Sequence, residues 1–123
     1  MSIISDNKEQ IVRLTHIHYL GWPDFGAPSE TKPIINLVKD VRRIINATMR
    51  RKDKINIIVH CSAGVGRTGT FIALYKIMEQ LDYLVPQFEK GGLYKNKTID
   101  IFNTAFKLRS KRVFMVSKTH TNT

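Results

Sequence analysis

An α/β fold is what this sequence predicts, and three observations carry that expectation. The run Ile55 to Val59 (INIIV) is short, continuously apolar and β-branched, the pattern of a strand buried on both faces. It opens into the glycine-bearing segment HCSAGVGRTG at 60–69, which feeds a run of helical period. Two more helical-period runs flank this unit, so the expected order is strand, loop, helix, buried strand, loop, helix, helix. A Gly-rich loop at the carboxyl end of a strand is where open α/β sheets bind ligands.

Each element has its own justification. Residues Ile11 to Leu20 (IVRLTHIHYL) alternate apolar and polar, with a shift at Thr15-His16, and predict a strand with a bulge. Pro23, Gly26 and Pro28 then require a loop in GWPDFGAPSE. Ser29 or Thr31 suits the N-cap of a helix with Pro33 in its first turn. The helical spacing of Ile34, Leu37, Val38, Val41, Ile44, Ile45 and Met49 gives this helix an apolar stripe opposite a basic face. After the Gly-rich loop, Phe71, Ile72, Leu74, Tyr75, Met78, Leu81 and Leu84 recur at helical spacing until Pro86, the expected stop. A third helix is expected from about Thr98 to Arg112, with Ile101, Phe102, Ala105, Phe106 and Leu108 as its apolar positions.

Length and charge narrow the class. The chain has 123 residues, enough for one domain, with 20 Lys plus Arg against 10 Asp plus Glu and a net charge of +10. The excess is concentrated in Lys39 to Lys54, with seven basic and two acidic residues, and in Lys107 to Lys118, with five basic and none acidic. Such a field attracts phosphoproteins, nucleic acid or acidic lipid, although on composition alone a solvated helix face is the better account of it. A single Cys excludes an intrachain disulfide and suits a reducing, cytoplasmic compartment. No apolar run is long enough to span a bilayer, and no signal peptide is expected at the start. Four dispersed His and one Cys offer no zinc spacing, so neither a metal nor another cofactor is expected.

The chemistry is expected in Cys61-Ser62-Ala63-Gly64-Val65-Gly66-Arg67-Thr68. Between a strand and a helix its backbone N–H groups can converge on an anion, and its glycines let the backbone approach closely. It is not a Walker loop, because the Lys-Ser/Thr pair is missing and a Cys opens it. A thiol at a helix N-terminus should ionise below its ordinary value. Arg67 supplies a planar fork for two phosphate oxygens.

HCSAGVGRTG resembles the signature of the protein tyrosine phosphatases. WPDFGAP at 22–28 resembles that family's mobile acid loop, and LRSKRVFMV at 108–116 is similar to the segment before its glutamine loop, all in the family's order. The resemblance implies a partial protein tyrosine phosphatase fold, a mixed sheet with the Cys-x5-Arg phosphate-binding loop between its central strand and a helix. It runs from about 10 to 116 of one domain, leaving 117–123 as a divergent tail, and corresponds to the C-terminal part of the family's catalytic domain. It implies Cys61 as nucleophile, Asp24 as general acid, Arg67 as phosphate clamp and Thr68 as hydrogen-bond donor to the leaving thiolate. Ser62, Ala63, Gly64, Val65, Gly66 and Arg67 would hold the phosphate, His60 would orient and tune Cys61, and Trp22 would pack as the hinge of the closing loop.

Two departures accompany the resemblance. The elements that the family places before the acid-loop strand, including those that select phosphotyrosine over phosphoserine, have no counterpart in the sequence. Ser117 stands where the family has the Gln that positions the hydrolytic water. The resemblance implies a protein-tyrosine phosphatase acting on phosphotyrosine proteins through a cysteinyl-phosphate. A phosphoprotein-binding module with little or no turnover is the alternative, and a phosphatase of RNA 5′ ends or acidic lipids, disfavoured by Ser62-Ala63 and Val65, is the third. Taken without the loop, Asp24 reads as a turn residue after Pro23. His16 and His18 read as ordinary histidines, and Tyr19, Tyr75, Tyr83 and Tyr94 as packing residues. Oligomeric state is not set by the sequence, though a sheet lacking its upstream strands should leave an apolar edge exposed and favour association.

Overall fold

The computed structural model describes residues 2–5, 8–11, 14–23, 26–50, 54–89 and 98–117, with backbone alone for the strands and for 87–89. Two short strands, β1 (Ser2–Ser5) and β2 (Lys8–Ile11), pair antiparallel with Ser2 opposite Ile11 and Ser5 opposite Lys8. Three helices follow: α1 (Lys32–Arg50), α2 (Gly66–Glu89) and α3 (Ile101–Lys111). Helix α2 is the centre, with α1 and α3 each packed against it, and among the described residues the strands pair only with each other.

Helix α1 follows its sequence pattern in part, for Ile44 and Met49 of the expected stripe are exposed. Ile34, Val38 and Ile45 lie on one face, and all three are buried. The Ile35 amide donates to the Thr31 carbonyl (3.2 Å), so the helix starts where Thr31 and Pro33 indicated. Across the α1–α2 contact Arg42 donates to the Tyr75 carbonyl (3.3 Å), lies 5.2 Å from the centre of the Tyr75 ring and pairs with Asp82. Helix α3 is capped by Asp100, whose carboxylate accepts from the Asn103 amide (2.7 Å). Gln80 of α2 reaches the buried Thr104 hydroxyl of α3 (3.3 Å).

Five expectations are corrected. Residues 14–20 and 54–60 carry no regular structure, so the strand expected from Ile11 to Leu20 is not found beyond Ile11, which ends β2, with residues 12 and 13 outside the described residues, and the central strand at Ile55 to Val59 is not found either. The only sheet among the described residues is the two-stranded hairpin, not a mixed sheet. The physical reason is that a strand is completed by hydrogen bonds to a neighbour, and no described segment runs alongside 55–59, where Ile58 is 88% exposed. Pro86 lies inside α2 rather than ending it. Proline deletes one i→i−4 bond, here within a turn of the helix end, while Leu84 remains buried beside it. Finally, Ile101, Phe102 and Phe106 of α3 face solvent, Phe102 at 81% exposure, and the buried position is Thr104.

Candidate active site

The Cys61 loop closes on itself at the amino end of α2. The Gly64 amide donates to Cys61 Sγ (3.2 Å), and Gly64 has φ of 71°, a left-handed conformation that a side chain disfavours. Helix α2 begins at Gly66, where the first N–H groups of a helix have no partner within it, and the Val65 and Thr68 amides there turn to Cys61. Partial burial raises the Cys61 thiol. The Thr68 hydroxyl and the amides of Thr68, Gly64 and Val65 outweigh that effect, and the thiol sits below its ordinary value. The Thr68 hydroxyl is buried beside Cys61 and makes no other hydrogen bond among the described residues, so its proton can be directed at the sulfur.

A cavity of about 400 Å³ opens over the loop, lined by Val59, His60, Cys61, Ser62, Ala63, Gly64, Thr68, Ile72, Arg112 and Met115. Of the expected site residues it gathers His60, Cys61, Ser62, Ala63, Gly64 and Thr68. Val65 and Gly66 lie outside the lining, although the Val65 amide reaches Cys61. Arg67 is drawn back across the loop, donating from Nη2 to Ser62 Oγ (2.8 Å). Trp22 lies in the other loop, its indole donating to the Gly26 carbonyl (2.9 Å), and it does not line the cavity. Asp24 falls outside the described residues.

The third wall comes from the segment after α3, which sequence reasoning named without assigning it a residue in the site. Arg112 donates from Nη2 to the Ala63 carbonyl (3.2 Å), and Arg109 holds the Met115 carbonyl (2.9 Å). The Val116 amide donates to the Val65 carbonyl (3.0 Å), which also accepts from Gly69 in α2 (3.1 Å). This seat requires glycine at 69, where a Cβ would overlap the Val116 amide nitrogen. A Cβ on Gly66 would meet the Ser117 carbonyl at 3.0 Å, which places Ser117 against the first turn of α2. Nothing local separates Arg112 from Lys107 or Lys111 in the basic run. Only the fold carries it 49 residues along the chain to Ala63.

Comparison with known proteins decides what this assembly belongs to. The family model described as protein-tyrosine phosphatase matches residues 1–121. The chain belongs to the protein-tyrosine phosphatase family. Human tyrosine-protein phosphatase non-receptor type 9 is 33% identical over 94% of this chain and 19% of its own length. Mouse receptor-type tyrosine-protein phosphatase epsilon is 36% identical over 92% of the chain and 14% of its own length. Rat phosphatidylinositol phosphatase PTPRQ is 38% identical over 80% of the chain and 4% of its own length. This phosphatase-family chain therefore spans a fifth or less of these curated relatives. No solved structure matches it. Among the described residues no helix is long and apolar enough to cross a membrane.

Proposed function

We propose that the chain is a single partial phosphatase unit that hydrolyses phosphotyrosine in intracellular proteins through Cys61. The observation that carries this reading is the Cys61 sulfur turned into a ring of donors at the amino end of α2, accepting from Gly64 at 3.2 Å and with its thiol lowered. The loop belongs, in this reading, between a central strand and a helix of a mixed sheet, and residues 55–59 take up that strand when a neighbouring strand is paired with them.

In the first step the Cys61 thiolate attacks phosphorus, the P–O bond to the tyrosyl oxygen breaks, and Asp24 delivers its proton to that oxygen. Arg67 exchanges its hydrogen bond to Ser62 for two phosphate oxygens, while the amides of Ser62 to Gly66 take up the remaining charge. In the second step Asp24, now a carboxylate, removes a proton from water as the water attacks phosphorus. The P–S bond breaks, and the thiolate returns to the Thr68 hydroxyl. His60 orients Cys61, and Trp22, tied to Gly26, swings the segment that bears Asp24. None of these steps calls on a metal or cofactor.

A phosphoprotein-binding module is the second reading, favoured by Ser117 against the first turn of α2 where the family's Gln is expected. Turnover of p-nitrophenyl phosphate by wild type, Cys61→Ser and Asp24→Ala separates the two. The hydrolase reading expects activity in the wild type only, with loss of at least a hundredfold in Cys61→Ser. Equal rates in all three, with retained phosphopeptide binding, establish the binding module.

A further inference from the structure

Helix α1 carries a polar ridge unrelated to the Cys61 cavity. Lys32, Asn36, Lys39, Arg43, Asn46 and Arg50 follow one another at intervals of four and three residues, and all six are exposed. At 100° per residue they fall within an arc of about 80°, and the four cations within about 40°. This arc is opposite Ile34, Val38 and Ile45, which are buried, so the ridge points away from α2, the one element α1 packs against among the described residues. The cations extend along about 27 Å of helix.

A ridge of this kind is electrostatically costly for the chain alone. Solvated helix faces ordinarily interleave both signs, and like charges at i,i+4, such as Lys39 and Arg43, destabilise a helix. The single carboxylate in α1, Asp40, stands at the edge of the ridge, where it pairs with Arg43 (2.7 Å). An exposed pair of this kind is worth little and yields readily to a stronger anion.

We propose that this ridge is a docking surface for duplex nucleic acid, held through its phosphate backbone. B-form DNA carries one negative charge per about 1.7 Å of axis, so the ridge would run beside about 16 phosphates. Two asparagines between the cations add amide donors and acceptors for phosphate, sugar and base edges. An acidic membrane is a poorer fit. None of the six residues is aromatic or apolar, and the apolar residues that α1 leaves exposed, Ile44 and Met49, lie outside the arc of the ridge, so the ridge itself has nothing to insert between lipids. Single strands fit less well too, since they are gripped by aromatic stacking, which the ridge does not offer.

The test is fluorescence anisotropy of a labelled 20-base-pair DNA of mixed sequence, titrated with the full chain across a salt series. Four phosphate contacts give a slope of log K against log salt of about −3.6. The variant Lys39→Gln/Arg43→Gln should halve that slope to about −1.8, while Lys39→Arg/Arg43→Lys retains it. Lys107→Gln/Lys111→Gln on α3 should leave it unchanged, and helicity by circular dichroism should match the wild type in all three. The proposal is overturned by the absence of duplex binding, by a slope indifferent to the α1 variants, or by a loss as large from the α3 variant. Capture by phosphatidylserine vesicles without capture of the duplex overturns it as well, and assigns the ridge to a membrane.

Discussion

Gly69 offers a test in which two physical rules predict opposite signs. It is the fourth residue of α2, and by helix propensity alone Gly69→Ala should stabilise the chain by about 1 kcal/mol. The tertiary structure argues the reverse, because the new Cβ would overlap the amide nitrogen of Val116 and press on Met115 and the Val116 Cα, each about 3.2 Å away. The segment 112–117 must then lift. Lifting loses the Val116 to Val65 hydrogen bond, about 0.5–1.5 kcal/mol. It also uncovers part of Met115, only 5% exposed and among the few buried apolar side chains, at a cost of about 1–2 kcal/mol. Set against the propensity gain, the net expectation is destabilisation by about 1–2 kcal/mol. Urea unfolding followed by circular dichroism measures it, with the slope checked for constancy. Ending the chain after Lys111 removes what the Cβ would strike, and in that background Gly69→Ala should stabilise by about 1 kcal/mol. A full-length Gly69→Ala chain as stable as the wild type, or more so, refutes the reasoning.

Further outcomes follow from the same geometry. Cys61 should react with iodoacetamide at lower pH than an unperturbed thiol, and Thr68→Val should move that profile upward by removing one of the groups that hold it down. Because the folded-state value is depressed below the ordinary 9.0, the associated stability is present above that value and is lost as pH falls through the folded-state value. Urea midpoints that do not decline over that window, relative to Cys61→Ser, would contradict this. Rapid mixing with an aryl phosphate should give a burst near one equivalent and a slow phase that Ser117→Gln accelerates, and a linear course unchanged by the substitution would place the slow step at attack. Phe114 has φ of 64° and is exposed, so Phe114→Gly should stabilise by about 1 kcal/mol in the same unfolding assay. Leu20 and Ile58 are exposed as well, and sedimentation should show association that grows with concentration, whereas a monomer at high concentration would speak against it.

Ionic chemistry and helices were legible along the chain, and pairing was not. The helix hydrogen bond closes over four residues, so periodicity together with Thr31 and Pro33 locates α1, and periodicity alone locates α3, to within a few residues. Cys61, Gly64 and Thr68 share one short loop, so their meeting is likewise a local matter. The apolar character of Ile55 to Val59 is equally plain, yet apolar residues become a strand only beside a partner, and none of the described residues supplies one. The same dependence governs α3, whose Phe102 and Phe106 have the spacing of a core face and remain in solvent. Tertiary structure alone decided that Arg112 and Met115 wall the cavity, that Arg67 rests on Ser62, and that position 69 admits no side chain. These are contacts between segments distant in sequence, or choices among several donors within reach, and no local pattern of residues records which of them the folded chain makes.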